Sequence, residues 1–300
     1  MISFENRVAI ITGAGRGLGA IHAKLLASRG AAVVVNDPGV AADGTATEAT
    51  PAEEVVAEIK AAGGAAVAEH SSVATPEGGQ AIVQKALDEF GRVDILVNNA
   101  GILRDKAFHN LEWPNLDAVL DTHLKGAFYV TQPAFRAMRA QGYGRIVMTT
   151  SNAGVIGNFG QSNYGAAKMG QIGLMNVLKH EGAKFNIKVN TVAPVARTRM
   201  TEELFGPLVA KFEPTLVSPV VAYFCSEECT LSGEIWTVAG GNISRFFIGR
   251  TDGYFKHPDR EGVLTMEDVA ANIATIRDET GYTVPLTIQD EFNLLLPKLG

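Results

Sequence analysis

Short runs of apolar residues alternate with longer stretches of helical periodicity along most of this 300-residue chain. The runs are apolar throughout, which is typical of strands covered on both faces and therefore of a parallel sheet. The predicted strands are 8–11, 32–35, 65–68, 95–97, 146–148, 187–192 and 235–238, and the predicted helices lie near 18–29, 51–62, 77–90, 115–140, 163–184 and 216–226. This strict alternation indicates an α/β fold with a doubly wound parallel sheet of about seven strands.

The alternation ends near residue 243, so we expect one domain (1–243) followed by a C-terminal extension (244–300). Two segments of the extension, Thr265-x-x-Asp268 and Thr287-x-x-Asp290, match the capping-box pattern of a helix start. We expect this helical tail to pack on the domain or to form a dimer contact, rather than to be a separate catalytic unit. We expect residues 38–50 to form a small, polar loop after the second strand.

Composition and charge exclude several classes of partner. The chain has 26 basic and 32 acidic residues, which argues against a broad nucleic-acid surface. No apolar run approaches the ~18 residues needed to cross a bilayer, and no signal peptide is evident, so we expect a cytoplasmic protein without membrane contact.

Cys225 and Cys229 lie four residues apart on a predicted helix with no histidine at metal-ligand spacing, so we expect two reduced thiols and no metal.

A glycine-rich turn follows the first predicted strand directly. It reads Thr12-Gly13-Ala14-Gly15-Arg16-Gly17-Leu18-Gly19, and a predicted helix begins within it. Glycines at this spacing allow the backbone to turn tightly and to approach a pyrophosphate, which then lies on the free N–H groups of the helix N-terminus. The alternative is a turn of small residues without a ligand. The position between a first strand and a helix favours a dinucleotide site in a Rossmann-type sheet.

A dinucleotide site further predicts an acidic residue at the end of the next strand, where it binds the ribose hydroxyls. Asp37 stands there, and its carboxylate would repel a 2′-phosphate. Residues 30–59 contain no Lys or Arg that would neutralise such a phosphate, so NAD is favoured over NADP. Arg16 argues the other way, because a cation in the turn could reach a 2′-phosphate, and a loop cap is the alternative interpretation of Asp37.

Tyr164 and Lys168 are four residues apart on a predicted helix and therefore share one face. A free phenol has a pKa near ~10 and is a poor base at neutral pH. A lysine charge about 4 Å away is worth up to ~4 kcal/mol at an effective dielectric of ~20, or roughly three pKa units. We therefore expect Lys168 to lower the pKa of Tyr164 into the range of a general base. An exposed helical pair without such a role is the alternative.

Four ordered motifs together resemble the short-chain dehydrogenase/reductase family over residues about 6–242. They are the glycine turn, Asn98-Asn99-Ala100-Gly101 after the fourth strand, Ser151 at the end of the fifth, and Tyr164 with Lys168. The resemblance implies that Tyr164 takes the hydroxyl proton, that Lys168 also holds the nicotinamide ribose, and that Ser151 fixes the substrate oxygen. The expected NAD-binding residues are Gly13, Gly15, Arg16, Gly17, Leu18, Gly19, Asp37, Ser72, Val73, Asn99, Ala100, Gly101, Tyr164, Lys168, Pro194 and Thr198.

A narrower resemblance is to the (3R)-hydroxyacyl-CoA dehydrogenase units of type 2 peroxisomal multifunctional enzymes and to their stand-alone bacterial relatives. It depends on residues 35–50, 99–106 and 157–164, the region around 199–201 and the long tail. The wider family has an asparagine where this chain has His123, and the narrower group has a histidine there. His123 is therefore a fourth candidate catalytic residue, either as a proton relay near neutral pH or as a packing histidine with satisfied hydrogen bonds.

The resemblance implies NAD-dependent oxidation of a secondary alcohol, with a (3R)-3-hydroxyacyl-CoA as the expected substrate and a homodimer or homotetramer as the expected assembly. A CoA substrate needs a local basic rim, for which the candidates are Arg104, Lys106, Arg197, Arg199, Arg245 and Arg250. Residues 204–217 suit either a mobile substrate lid or a plain surface crossover. The alternatives are a hydroxysteroid or other alcohol dehydrogenase, a 3-oxoacyl reductase, and a catalytically silent nucleotide-binding scaffold.

Overall fold

The computed structural model describes residues 1–39, 43, 45, 50–197 and 211–299. The chain divides into two compact units, Met1–Phe246 and Phe247–Gly300. Of the predicted lid, residues 204–210 lie outside the described residues, and Pro214–Leu216 form a short 3₁₀ turn.

The first unit is built on one eight-stranded sheet. Its strands are β1 (Val8–Thr12), β2 (Ala32–Asn36), β3 (Ala65–Glu69), β4 (Ile95–Asn98), β5 (Gly144–Thr149), β6 (Ile187–Val195), β7 (Ile235–Ala239) and β8 (Asn242–Phe246). Their order is β3-β2-β1-β4-β5-β6-β7-β8, and the first seven pair in parallel. The predicted parallel sheet is confirmed. Sequence reasoning missed β8, which pairs antiparallel with β7.

Helices connect the strands much as the periodicity predicts. In the first unit they are α1 (Gly17–Ser28), α2 (Pro51–Ala61), α3 (Pro76–Phe90), α4 (Trp113–Leu120), α5 (Gly126–Gln141), α6 (Asn152–Val155), α7 (Ser162–Gly182) and α8 (Ser218–Cys225). The single helix predicted near 115–140 is wrong in one respect, because a π-helical turn at Asp121–Lys125 separates α4 from α5. Such turns often occur at functional sites.

Alternate side chains of each strand enter two apolar layers on opposite faces of the sheet. Ala9 and Ile11 of β1 pack with α1, α2 and α8. Val8 and Ile10 of the same strand pack with α3, α5 and α7. Both faces are therefore dry, which explains why the strands read as continuous apolar runs.

The order of the strands reverses at β1, which has β2 on one side and β4 on the other. Parallel strands end at the same edge, and the connections that follow β1 and β4 lead to helices on opposite faces of the sheet. This leaves a crevice at the carboxyl ends, where open α/β sheets bind ligands. The glycine turn follows β1 and Asn99 follows β4 at this point. The topology thus places two of the four motifs side by side.

The second unit contains four short helices, α9 (Pro258–Glu261), α10 (Met266–Ala271), α11 (Ile273–Ile276) and α12 (Ile288–Leu299). Both predicted capping boxes are confirmed. Thr265 and Asp268 bond reciprocally at the start of α10, and Thr287 and Asp290 do so at the start of α12. No helix of the described residues is long and apolar enough to span a membrane.

Candidate active site

The glycine turn has the backbone geometry of a ligand cradle. Gly13 and Gly17 have φ values of 62° and 56°, which side chains rarely tolerate. A Cβ at Gly13 would lie 2.8 Å from the Cα of Ala100. α1 begins at Gly17 with no acidic side chain in its first turn, so its free N–H groups point at the crevice without a competing carboxylate.

The other two glycines of the turn have packing roles, which the expectation of phosphate approach missed. A Cβ at Gly15 would lie 2.7 Å from Pro51 and 2.8 Å from Oδ2 of Asp37. A Cβ at Gly19 would lie 2.6 Å from Nδ2 of Asn99. Neither glycine lines the cavity. The missing side chain of Gly15 allows the turn to approach Asp37 and the start of α2, and that of Gly19 allows α1 to approach Asn99.

Asp37 lies at the mouth of the crevice immediately after β2. Its Oδ2 accepts the N–H of Gly15 at 3.0 Å, and its Oδ1 accepts the N–H of Gly39 at 2.8 Å. These bonds fix the carboxylate beside the glycine turn. Asp37 shares the lining of the cavity with Arg16, so the acidic and the basic candidate face the same space.

Thr12 and Asn99 tie the ends of β1 and β4 together. Oγ1 of Thr12 accepts the N–H groups of Asn99 and Ala100 at 3.0 and 3.1 Å. The side-chain amide of Asn99 donates back to the carbonyls of Thr12 and Gly13, both at 3.0 Å. The Asn-Ala-Gly motif is thus a brace for the floor of the crevice.

Ser151, Tyr164 and Lys168 converge on the same space from β5 and α7. Ser151 caps α6, where its Oγ accepts the N–H of Ala153 at 3.1 Å, and its side chain also bonds to Tyr164. The Nζ of Lys168 lies 5.5 Å from the centroid of the Tyr164 ring and donates to the carbonyl of Thr149. The four-residue spacing on α7 therefore places Lys168 next to Tyr164, as predicted.

The electrostatics of this pair differ from the expectation. Burial raises the pKa of Tyr164 above 10, the hydrogen bond with Ser151 opposes that rise, and the charge of Asp105 adds to it. Burial also lowers the pKa of Lys168 from 10.5 to about 7. Burial disfavours the phenolate and therefore acts against the predicted lowering of the Tyr164 pKa, and Lys168 is not among the groups that shift this pKa.

His123 lies in the π-helical turn and is buried against Tyr164, with ring centroids 5.1 Å apart in an edge-to-face arrangement. Its Nε2 lies 3.0 Å from the backbone N and 2.8 Å from the carbonyl O of Ile102. Burial, followed by the charge of Lys168, lowers its pKa well below 6.5. Burial therefore favours the neutral imidazole. Its Nδ1 is buried without a hydrogen-bond partner among the described residues, so a packing histidine with satisfied hydrogen bonds is not confirmed.

These residues surround one cavity of about 1040 Å³. Of the expected site residues, it is lined by Gly13, Arg16, Gly17, Leu18, Asp37, Ser72, Val73, Asn99, Ala100, Gly101, His123, Ser151, Tyr164, Lys168 and Pro194. Thr198, expected at the nicotinamide, lies outside the described residues. Sequence reasoning gave no role to Thr149, Thr150, Asn158 and Gln161, which also line the cavity. Thr149 and Thr150 could have been identified because they precede Ser151 at the end of β5, and Asn158 and Gln161 because they lie in the 157–164 motif.

The cysteines lie outside this cavity. Cys225 is the last residue of α8 and Cys229 follows the helix, so the prediction that both share one helix is wrong. Both are free and buried, and burial raises the pKa of each thiol. Within the described part of the chain, no group of three or more His, Cys, Asp and Glu side chains could hold a metal ion.

Comparison with known proteins agrees with the site. Residues 7–207 match the family model for short chain dehydrogenase. A short-chain type dehydrogenase/reductase of Mycobacterium tuberculosis is 49% identical over 286 residues, which cover 95% of this chain and 98% of that protein.

Two solved structures are similar over most of the chain. Full-length peroxisomal multifunctional enzyme type 2 from Drosophila melanogaster superposes with a TM-score of 0.83 at 38% identity over 99% of this chain and 50% of that one, so this chain spans half of that enzyme's length. A 7α-hydroxysteroid dehydrogenase in complex with NADH and 7-oxo glycochenodeoxycholic acid superposes with a TM-score of 0.72 at 29% identity, over 80% of this chain and 95% of that one. The chain belongs to the short-chain dehydrogenase/reductase family, which uses NAD(P), and is an oxidoreductase that acts on CH–OH groups.

Proposed function

We propose that this protein is an NAD-dependent dehydrogenase that oxidises a (3R)-3-hydroxyacyl-CoA to the 3-oxoacyl-CoA. The observation that carries the proposal is one cavity that has Ser151, Tyr164 and Lys168 on one wall and the glycine turn with Asp37 on another. A secondary alcohol needs a hydrogen-bonding group for its oxygen, a base for its proton and a hydride acceptor. NAD, when bound, supplies the hydride acceptor.

The residues at the glycine turn fit an adenine dinucleotide without a 2′-phosphate. Gly17 has a positive φ, and no atom lies within 4 Å of the position that its Cβ would take, so the turn leaves room there for a diphosphate. The carboxylate of Asp37 is held in place by two backbone N–H groups and suits a ribose diol. Arg16 is the cation of the glycine turn, and Asp37 lines the same cavity, where its carboxylate disfavours a second phosphate.

The catalytic side chains divide the proton chemistry among themselves. We assign to Ser151 the orientation of the substrate hydroxyl, since its Oγ already bonds to the Tyr164 side chain. Tyr164 accepts the hydroxyl proton, and the Nζ of Lys168 lies 5.5 Å from the centroid of its ring. Because burial raises the pKa of Tyr164, the base form is scarce at neutral pH, and we expect oxidation to become faster as the pH rises.

Two lines of support favour an acyl-CoA substrate. The motifs of residues 99–106 and 157–164 resemble those of hydroxyacyl-CoA dehydrogenase units, and likeness to the Drosophila multifunctional enzyme extends over 99% of the chain, including the C-terminal unit. A hydroxysteroid is the second candidate substrate, favoured by the likeness to the 7α-hydroxysteroid dehydrogenase, which covers 80% of the chain at lower identity.

The test is NADH formation with a (3R)-3-hydroxyacyl-CoA and, in parallel, with a free hydroxysteroid, by the wild-type protein and by Tyr164→Phe. We expect faster oxidation of the acyl-CoA, loss of turnover in the variant, and nearly unchanged NADH binding by fluorescence. Faster steroid oxidation would select the second candidate. Tight NAD binding without turnover of any alcohol would favour the silent scaffold.

A further inference from the structure

The cavity has few cations, although a CoA thioester brings several phosphate charges to it. Of the residues that the structure describes, the cationic ones that line it are Arg16, Arg104 and Lys168. Lys168 is committed to Tyr164 and to the carbonyl of Thr149, and Arg16 stands at the N-terminus of α1, beside the glycine turn. Arg104 is the lining cation that the proposed chemistry does not use.

The other basic residues considered for a CoA rim are less suited. Three of them are neutralised by carboxylates at 2.7, 2.8 and 2.9 Å, in the pairs Arg197–Glu213, Arg245–Glu234 and Arg250–Glu291. Lys106 is exposed and does not line the cavity, and Arg199 lies outside the described residues. Elimination therefore leaves Arg104.

Arg104 is held in place from two sides. Its carbonyl accepts the side-chain amide of Asn163, the residue before Tyr164, at 3.0 Å. Its Nε donates to the carbonyl of Asp43 at 2.9 Å. Its two terminal nitrogens make no hydrogen bond or ion pair with any of the described residues, and the side chain is half-buried. A preorganised guanidinium with free donors at a cavity wall is the arrangement that binds phosphate.

Nearby carboxylates leave that charge available. Oδ1 of Asp121 pairs with Lys125 at 2.7 Å, and Asp37 is bonded to the backbone of the glycine turn. Asp105 accepts the side-chain amide of Gln161 at 2.7 Å and forms no ion pair with Arg104. The Asp43 carboxylate is near enough to interact electrostatically with Arg104, but it forms no direct ion pair with the guanidinium. Among the described residues, the terminal nitrogens of Arg104 therefore have no contacting carboxylate.

We propose that Arg104 binds a phosphate group of the CoA moiety and thereby selects CoA thioesters over thioesters that lack phosphates. This inference rests on the proposed function and adds a specificity-determining residue to it. The same guanidinium chemistry would also fit a phosphate of the dinucleotide, and the experiment separates the two sources.

The experiment compares one (3R)-3-hydroxyacyl group carried on CoA and on N-acetylcysteamine, which has no phosphate. Arg104→Gln, Arg104→Lys and the wild type are assayed for KM and kcat on both thioesters and for KM of NAD. Arg136→Gln is the matched control, because Arg136 is exposed, lies on α5 and does not line the cavity. We expect Arg104→Gln to raise KM for the CoA thioester roughly tenfold, as for one lost charge-assisted hydrogen bond.

The same variant should leave KM for the N-acetylcysteamine thioester, KM for NAD and kcat nearly unchanged, and Arg104→Lys should recover part of the loss. Added salt should weaken binding of the CoA thioester in the wild type more than in Arg104→Gln. Equal losses on both thioesters would mean a structural role and would overturn the inference. A rise confined to KM for NAD would assign the arginine to the dinucleotide and would also overturn it. If the wild type oxidised neither thioester, the proposed function would fail first, and this inference with it.

Discussion

Lys168→Met should make the protein more stable at neutral pH while abolishing its activity. The Lys168 amine is fully buried, and burial lowers its pKa from 10.5 to about 7. The unfolded chain therefore binds more protons than the folded one between these two values, so the folded state gains stability as the pH rises from 7 to 10.5. Below pH 7 the cost of burying the amine is fully present.

A pKa difference of 3.5 between 10.5 and about 7 corresponds to about 4 kcal/mol at pH 7, after allowing for half-protonation of the folded state. Methionine removes that cost but leaves the carbonyl of Thr149 without its donor, a loss of about 1–3 kcal/mol. The variant should therefore gain about 1–3 kcal/mol at pH 7 and lose a similar amount near pH 10.5.

Urea denaturation of the cofactor-free wild type and variant at pH 7, 8.5 and 10 would measure this difference. Groups shared by the two proteins cancel in the comparison, which isolates the amine. Lys168→Arg is a useful control, since it keeps a charge that does not lose its proton in this range. A stability difference that does not change with pH would refute the reasoning, because it would show that the amine is not desolvated in the folded state.

Three further predictions concern other parts of the cradle and core. Gly19→Ala places a Cβ 2.6 Å from Nδ2 of Asn99, so the free energy of unfolding, measured with urea, should fall by about 1–3 kcal/mol. NADH binding in a fluorescence titration should also be weaker, and unchanged binding would contradict the packing role. Asp37→Ala should raise the NADP-to-NAD ratio of kcat/KM, and an unchanged ratio would exclude Asp37 from cofactor selection. Burial holds the pKa of His22 at about 3, so the free energy of unfolding should fall by up to about 1.4 kcal/mol per pH unit as the pH drops below 6.5. His22→Gln should lack this contribution when unfolding is measured at pH 6.5 and 4.5. Equal pH dependence of the wild type and the variant would refute the prediction.

Sequence periodicity predicted the seven parallel strands because the central ones are buried on both faces and are therefore apolar along most of their length. β8 has a mostly exposed pattern, Asn242–Phe246, and its polar residues give no such signal. The π-helical turn at Asp121–Lys125 was missed for a different reason. Its extra residue per turn depends on how α4, α5 and α7 fit together, and helical periodicity does not report that.

The candidate site was predictable as a set of neighbours but not as an electrostatic environment. Spacing placed Tyr164 beside Lys168, yet burial decides the pKa of both groups. From their position in the turn, Gly15 and Gly19 were expected to let the backbone approach a phosphate. In the structure they instead leave space for Asp37 and Asn99, which pack against them. Burial and long-range contacts are properties of the fold, so motif spacing alone does not contain them.

The most direct test of the central claim is the kcat/KM of the purified protein for (3R)- and (3S)-3-hydroxyacyl-CoA of one chain length, each with NAD and with NADP. We predict NADH formation with the (3R) enantiomer, at least about tenfold less activity with the (3S) enantiomer, and a clear preference for NAD over NADP. A tenfold difference in kcat/KM corresponds to about 1.4 kcal/mol of transition-state stabilisation. Equal activity on both enantiomers, preference for NADP, or no turnover of either acyl-CoA would contradict the claim.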